Sequence, residues 1–202
     1  MIYQILAVII GAIFVKNFVL TRFLGLCSFI GISQEMKSSF PLGIAVIFVS
    51  TCASTITWCI YRYLLLPFNI EFLRTISFIL VIASFVQLVE MVILKTSPAL
   101  YRALGIYLPL ITVNCAVMGV AVLNSEEMFL AGRPIHGSFV LSLVQGFCVG
   151  VGYMLAISLM AGMRERLAMA NIPRSLRGAP IAFIIASLMS MSFMGFLGFK
   201  FF

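Results

Sequence analysis

Long apolar runs divide this chain, and each of them has to be removed from water. Six such runs are present, and most of them reach the ~20 residues that a helix needs to cross a bilayer. With 63% hydrophobic and 9% charged residues and a mean hydropathy of +1.19, the sequence lacks the polar surface of a water-soluble protein. We therefore predict an all-α integral membrane protein with six transmembrane helices in one membrane domain, residues 1–202. The runs are residues 2–15, 40–60, 72–94, 103–123, 138–163 and 179–202.

The basic residues predict how the chain is oriented. Eight of them fall in the first, third and fifth predicted loops and four on the opposite side. Because cytoplasmic loops carry an excess of Lys and Arg, we predict that the odd-numbered loops are cytoplasmic and that both termini lie outside. No surface that combines basic and aromatic residues is visible, so the charges indicate membrane lipid and not nucleic acid. The eight are Arg22, Lys37, Lys95, Arg102, Arg164, Arg166, Arg174 and Arg177, and the four are Arg62, Arg74, Arg133 and Lys200.

Two cysteines occur in matching surroundings, Cys27 in LGLCSFIG and Cys115 in LPLITVNCAVMG. Each is followed four residues later by a glycine, Gly31 or Gly119, and the two are 115 − 27 = 88 residues apart. This pattern predicts a duplicated unit with one thiol in each copy, about residues 1–97 and 98–202. Three spans in each copy would make the second copy enter the membrane the other way up, as an inverted repeat.

Both cysteine motifs also interrupt a helix pattern. The apolar piece at 23–32 is too short to cross a bilayer, and Pro109 and several glycines weaken the helix around Cys115. Irregular backbone is tolerated at membrane depth only where protein buries it. We expect broken helices around Cys27 and Cys115, with the two thiols facing each other near the midplane.

Two facing thiolates suit a soft metal, which could be zinc or an iron-sulfur cluster. An iron-sulfur cluster usually takes four cysteines, so Cys52 and Cys148 would complete the site or a second protein chain would supply the missing ligands. Cys52 and Cys59 lie seven residues apart on one helix face, where small packing residues are common. The opposing interpretation is that all these thiols are inert apolar fillers.

Glu90 is the only acidic residue well inside an apolar run. An intramembrane carboxylate is a candidate for ion movement, and Gln87 lies three residues earlier on the same face. A structural pair with Lys95 near the cytoplasmic end is the alternative.

Three stretches resemble a known family closely. They are KNFVLTRFLGLCSFIGIS at 16–33, SFILVIASFVQLVEMVILKTSPALYRALGIYLPLITVNCAVMGVAVLN at 77–124 and MRERLAMANIPRSLRGAPIAFIIASLMSMSFMGFLG at 163–198. The sequence resembles the RnfA proteins of the Rnf complex, also called RsxA where the complex reduces a redox sensor. The NqrE protein of the sodium-pumping NADH:quinone reductase shares most of the likeness, but Asn17-Phe18-Val19-Leu20 favours Rnf.

The resemblance implies a six-helix translocase subunit of an ion-translocating ferredoxin:NAD⁺ oxidoreductase, which moves Na⁺ or H⁺ and has no catalytic residue of its own. It implies that Cys27 and Cys115 hold half of a [2Fe-2S] cluster shared with the homologous E subunit of opposite topology. The further partners implied are the B, C, D and G subunits. The resemblance leads us to expect proline after the first cysteine in many members, and this chain has Ser28 there instead.

Three rival functions predict different behaviour. An NqrE-type protein would share the cysteine site, whereas a secondary transporter or a structural membrane subunit would have no cofactor. The last two predict that Cys27→Ala is tolerated.

Overall fold

The computed structural model describes residues 9–15, 17–33, 36–68, 71–96, 114–125, 135–170 and 178–195, together with residues 173 and 176. The described part is built of helices and their connecting turns and contains no β-strand, as the all-α prediction requires. A π-helical turn, Gly11–Val15, precedes the first α-helix, and a second, Tyr61–Leu65, prolongs the third. The α-helices of five or more residues are α1 Phe18–Arg22, α2 Leu26–Ile32, α3 Met36–Ile60, α4 Arg74–Thr96, α5 Cys115–Leu123, α6 Ile135–Ala168 and α7 Ala179–Met194.

Three of the helices are long and apolar enough to cross a membrane. They are the 27 residues Ser39–Leu65, the 19 residues Arg74–Val92 and the 30 residues Phe139–Ala168, with mean hydropathies between 1.8 and 2.1. At about 1.5 Å per residue, each approaches or exceeds the ~30 Å thickness of the hydrocarbon core. The predicted runs at 40–60, 72–94 and 138–163 are confirmed as helices, and Ala179–Met194 is a shorter apolar helix in the sixth run.

The predicted runs at 2–15 and 103–123 fall largely outside the described residues. Only 9–15 of the first and 114–123 of the second are described, and both pieces are helical. The count of six spans and the division into repeats at about residue 97 therefore remain predictions.

Helices α3 and α6 form the central pair of the fold. A Cβ atom added at Gly150 would lie 2.6 Å from the Ile47 Cα atom, and one added at Gly146 would lie 2.9 Å from the Ser50 carbonyl oxygen. Only glycine permits such close approach of two backbones. Gly146 and Gly150 lie four residues apart in the sequence, a small-xxx-small spacing that predicts a close helix-packing face, and the structure confirms that face.

Buried polar side chains reinforce this pair. The Ser54 hydroxyl donates to the Ser142 carbonyl oxygen at 2.6 Å, and the Asn124 amide nitrogen donates to Ser54 Oγ at 2.6 Å. Ser50 Oγ donates to the Gly146 carbonyl oxygen at 3.0 Å. The Asn124 bond also fixes the C-terminal end of α5 against α3, because Asn124 is the residue that caps α5.

All five described basic residues that were assigned to the odd-numbered loops lie in helices instead, namely Arg22, Lys37, Lys95, Arg164 and Arg166. Arg22 is the last residue of α1, and Arg164 lies within α6, which continues five residues past the predicted boundary at 163. Arg164 Nη1 donates to the Ile30 carbonyl oxygen at 2.7 Å and to Ser33 Oγ at 3.1 Å. Arg164 of α6 thus places a positive charge at the C-terminal end of α2, where the helix dipole favours a cation. This interaction accounts for the position of Arg164 on α6.

Candidate metal centre

The predicted break around Cys27 is present as a sharp reversal between α1 and α2. Phe23 adopts a left-handed conformation with φ 53°, and Gly25 follows with φ 84°. The Leu24 N–H donates back to the Phe18 carbonyl oxygen at 3.2 Å and closes the end of α1. Gly25 then becomes the N-cap of α2, a helix of seven residues. Cys27 is the second residue of this short helix, and its side chain is exposed.

An asparagine holds the preceding break, between the first π-helical turn and α1. Asn17 caps α1, and its Oδ1 accepts the Val19 N–H at 3.2 Å. Its Nδ2 donates to the carbonyl oxygens of Ile13 at 3.2 Å and Gly152 at 3.0 Å. The side chain is 1% exposed, so one buried amide ties together the π-helical turn, α1 and α6.

A second asparagine starts the helix that carries Cys115. Asn114 caps α5, and its Oδ1 accepts the Ala116 N–H at 3.0 Å. Cys115 is the first residue of α5, and its side chain is exposed. The Asn114 side chain is 1% exposed, and within the described part its Nδ2 has no hydrogen-bond partner.

The structure brings the N-terminal ends of α2 and α5 into contact. A Cβ atom at Gly25 would lie 3.0 Å from Asn114 Oδ1 and 3.3 Å from the Ala116 Cβ atom. A left-handed φ also favours glycine at this position, so both backbone conformation and space select it. Cys27 and Cys115 therefore occupy the first turns of two helices whose N-termini touch. Backbone N–H groups at helix N-termini favour negative charge, which is what metal-bound thiolates carry.

A tyrosine of α6 lies under this junction. The Tyr153 hydroxyl is hydrogen-bonded to Ser28 Oγ at 2.7 Å, and Ser28 Oγ lies 3.1 Å from the Gly25 carbonyl oxygen, to which it donates. Asn114 and Cys27 also lie close enough to the Tyr153 hydroxyl to interact with it electrostatically. Sequence analysis missed Tyr153 because it is one aromatic residue in an apolar run. The asparagines left a weak signal, because asparagine is a preferred N-cap.

Cys115 also opens onto a cleft of about 450 Å³, whose lining includes Leu24, Gly119 and Arg22. A Cβ atom at Gly119 would lie 2.7 Å from Leu24 Cδ1. The glycine four residues after Cys115 therefore allows the reversal after α1 to pack against α5. The Arg22 guanidinium adds a positive charge to the same cleft.

The other cysteines do not complete the site. All five cysteines are described, and none forms a disulfide. Among the described residues, no three His, Cys, Asp or Glu side chains are grouped so that they could hold a metal ion. The interpretation that Cys52 and Cys148 supply the missing ligands within this chain is therefore wrong. Cys148 is instead buried in an apolar cluster with Ala12, Phe18 and Val149.

Glu90 lies on α4, whose apolar side chains are mostly exposed, and is itself half-buried. In the described ranges no hydrogen bond or ion pair to its carboxylate is found, so the predicted pair with Lys95 is not formed there. Gln87 is exposed one turn earlier. The carboxylate is thus available to a solvent cavity or to another protein of the same membrane.

Comparison with known proteins identifies the family. Residues 5–200 match the family model described as "Rnf-Nqr subunit, membrane protein". The chain is 50% identical over 195 residues to a protein of Syntrophotalea carbinolica that is named as the A component of an ion-translocating oxidoreductase complex, and the match covers 96% of this chain and 97% of the relative. It is 51% identical over 193 residues to the protein of that name from Azoarcus sp. (strain BH72), with 96% of each chain covered. The corresponding protein of Aliivibrio fischeri is 51% identical over 195 residues, which are 96% of this chain and 97% of the relative.

The chain belongs to the Rnf-Nqr family of membrane proteins. The family resemblance that the cysteine motifs and the three longer stretches indicated is confirmed over nearly the whole sequence.

Proposed function

We propose that this chain is the RnfA component of a bacterial ion-translocating oxidoreductase complex of the Rnf type, in which ferredoxin and NAD⁺ are the redox partners. Relatives of about 50% identity that align over nearly their whole length bear the name of that component. The chain acts as a membrane-embedded part of the translocase and has no catalytic activity of its own. It carries electrons between carriers on the two sides of the membrane.

Cys27 and Cys115 provide two of the four ligands of a [2Fe-2S] cluster in this proposal, and the homologous E subunit provides the other two. The observation that carries the proposal is the junction of α2 and α5, where two exposed thiols lie in the first turns of helices that touch. Two cysteines are half of the usual set of four. Because no third ligand joins them in the described part of the chain, the site needs a second protein chain.

The residues of the junction fit such a group. Two thiols and several helix N-terminal N–H groups suit an anionic sulfur-ligated cluster. The Asn114 Nδ2 is buried and unpartnered beside Cys115, as expected for a donor that faces a group absent from the protein alone. When bound, the cluster would accept and release one electron. The chain's own residues would then orient the two thiolates and keep water away from the inner side of the site.

The test is to measure iron and acid-labile sulfide in the complex after anaerobic purification, together with its EPR spectrum in the reduced state. Cys27→Ala and Cys115→Ala are each expected to lose roughly two iron atoms per complex, the content of one [2Fe-2S] cluster. Cys59→Ala, which removes a half-buried thiol of α3, is the matched control and should keep its full iron content. Unchanged iron in both ligand variants would replace this proposal with the cofactor-free transporter or structural subunit.

The same proposal places the chain in the inner membrane with its odd-numbered loops cytoplasmic and both termini outside. The E subunit would be its closest contact, with the B, C, D and G subunits as further partners. Alkaline phosphatase is active only outside the cytoplasm, so a fusion after residue 202 should be active and a fusion after residue 170 inactive. The reverse pattern would overturn the orientation.

Glu90 is proposed to lie on the ion pathway, because its half-buried carboxylate has no partner among the described side chains and an intramembrane acid is costly unless it has a function. Glu90→Gln removes the charge and keeps the shape. We expect the complex in liposomes to retain electron transfer and to lose redox-driven uptake of Na⁺ or H⁺. Gln87→Ala, one turn away on the same helix, should leave ion uptake intact. Normal uptake in Glu90→Gln would remove Glu90 from the pathway.

A further inference from the structure

The described residues contain one buried pair of hydroxyl groups that joins two distant parts of the chain next to a cysteine. Ser28 follows Cys27 in α2, and Tyr153 lies 125 residues later in α6. Their oxygen atoms are 2.7 Å apart, and the two side chains are 0% and 1% exposed. A hydroxyl–hydroxyl bond in an apolar interior is electrostatically stronger than one in water, so this pair is a firm attachment for the first turn of α2.

The donors and acceptors define the direction of the pair. A serine hydroxyl has one proton, and Ser28 donates it to the Gly25 carbonyl oxygen at 3.1 Å. Ser28 Oγ therefore accepts the proton of the Tyr153 hydroxyl. The Tyr153 oxygen keeps its lone pairs, and the Asn114 side chain lies close enough to interact with it electrostatically.

These groups connect the two caps of the proposed cluster site. Gly25 is the N-cap of α2 and Asn114 is the N-cap of α5, and Tyr153 lies close to both. A Cβ atom at Gly25 would lie 3.4 Å from Tyr153 Cε2 and 3.0 Å from Asn114 Oδ1. The orientation of the Cys27 turn relative to the Cys115 turn therefore depends on Tyr153.

We propose that Tyr153, acting through Ser28 and Asn114, is a positioning residue of the cysteine site: it fixes the two ligand-bearing helix turns relative to each other and sets the reduction potential of the cluster they hold. The proposal rests on the cluster assignment made above. Hydrogen-bonded groups around ligand sulfurs are one of the main determinants of a cluster's potential. In the low-dielectric interior of a membrane protein, an oriented hydroxyl dipole acts with little screening.

The hydroxyl pair requires serine at position 28, so it is a feature of this sequence and not of the cysteine motif in general. A proline at this position, which the resemblance leads us to expect in many relatives, has no hydroxyl to accept the Tyr153 proton. Residue 28 lies in the first turn of α2, where a backbone N–H has no partner within the helix, so the backbone does not require serine there. The contacts of the hydroxyl are with Tyr153 and with the Gly25 carbonyl oxygen.

The experiment is a double-mutant cycle on the complex purified anaerobically, with Tyr153→Phe, Ser28→Ala and the double variant. The readouts are iron content, EPR g values of the reduced cluster, and its midpoint potential from redox-poised EPR. We expect all three variants to retain their iron. Both single variants should shift the midpoint potential, because each breaks the hydroxyl pair that fixes the Cys27 turn relative to the Cys115 turn. The shift in the double variant should be smaller than the sum of the single shifts, since the two hydroxyl groups act as one unit.

Ser190→Ala is the matched control. It removes a buried hydroxyl that donates to the Leu20 carbonyl oxygen of α1 at 2.6 Å. Because this hydroxyl bonds to neither ligand-bearing helix, its loss should leave the potential unchanged. Tyr153→Phe removes a single oxygen atom, so it decides the question even if Ser28→Ala does not assemble.

Two results would overturn the inference while leaving the cluster assignment intact. One is a normal potential and spectrum in iron-replete Tyr153→Phe, and the other is an equal shift in Ser190→Ala. Failure of the cluster assignment itself would be recognised separately, by unchanged iron in Cys27→Ala and Cys115→Ala.

Discussion

The two asparagine-capped helix starts of this protein are nearly identical in backbone and different in use. Asn17 has φ −63° and ψ 113°, Asn114 has φ −69° and ψ 114°, and each accepts the N–H two residues later. Both side chains are 1% exposed. Asn17 Nδ2 donates hydrogen bonds to the carbonyl oxygens of Ile13 and Gly152. In contrast, Asn114 Nδ2 has no partner among the described residues.

The difference shows that an asparagine N-cap can stabilise the fold at one helix and contribute to a ligand site at another. Both N–H groups of the Asn17 side-chain amide are hydrogen-bonded, so this side chain joins three helical segments and has no donor left for a ligand. The amide of Asn114 caps its helix with one atom and keeps the other beside Cys115. A buried donor without a partner costs about 1–3 kcal/mol, so the Asn114 amide would be stabilised by a ligand that accepts its hydrogen bond at the junction.

The same substitution at both asparagines should separate the two roles with the largest effect on stability. Serine is as good an N-cap as asparagine but lacks the amide donors. Asn17→Ser should cost about 3 kcal/mol, from two lost hydrogen bonds at ~1 kcal/mol each and the small cavity that remains. Asn114→Ser should cost at most about 1 kcal/mol, because the cavity it leaves is partly offset by the removal of a buried donor that has no protein partner.

Thermal unfolding of the purified complex measures this difference, and Asn114→Ser should in addition shift the cluster's midpoint potential while Asn17→Ser should not. Equal loss of stability in the two variants would contradict the distinction between Asn17, whose amide nitrogen donates two hydrogen bonds, and Asn114, whose amide nitrogen donates none within the described part of the protein.

A second pair of substitutions tests the contacts of the two breaks. Gly25→Ala forces an alanine into a left-handed conformation, at about 1–2 kcal/mol, and places its Cβ atom 3.0 Å from Asn114 Oδ1. Gly152→Ala places a Cβ atom 3.2 Å from the Ala12 carbonyl oxygen and 3.4 Å from Asn17 Nδ2. We expect Gly25→Ala to lower the iron content and Gly152→Ala to lower the unfolding temperature with normal iron. Gly31→Ala, with no atom within 4 Å of the added Cβ, is the neutral control.

The smallest expected effect concerns the other end of α2. Arg164 bonds the Ile30 carbonyl oxygen and Ser33 Oγ, so α6 holds α2 near its N-terminus through Tyr153 and at its C-terminus through Arg164. Arg164→Lys removes the planar fork and should cost about 1 kcal/mol, the contribution of one hydrogen bond. Its midpoint potential should be that of the wild type. A shift comparable to that of Tyr153→Phe would mean that the potential follows any loosening of α2 and not the hydroxyl pair.

Much of the fold followed from the sequence, because the signals for it are local. The apolar runs at 40–60, 72–94 and 138–163 predicted the long helices, since a run of that length satisfies both the backbone and the lipid. Gly146 and Gly150, four residues apart, predicted the close face of α6. The break around Cys27 was visible because ten apolar residues cannot cross a bilayer. The loop positions predicted for Arg22, Lys37, Lys95, Arg164 and Arg166 were wrong, because a basic residue marks the end of an apolar run and not the end of the helix.

By itself, the sequence determined the membrane class of the protein, its family and the two thiols that merit attention, all of which depend on residue types at short spacings. Only the tertiary structure decided that Gly25 touches Asn114, that Cys52 and Cys148 do not join the other two cysteines, and that Tyr153 bonds Ser28. The physical reason is that each of these contacts joins residues far apart in the chain. Such contacts are fixed by how whole helices pack, and no periodicity within one helix contains that information.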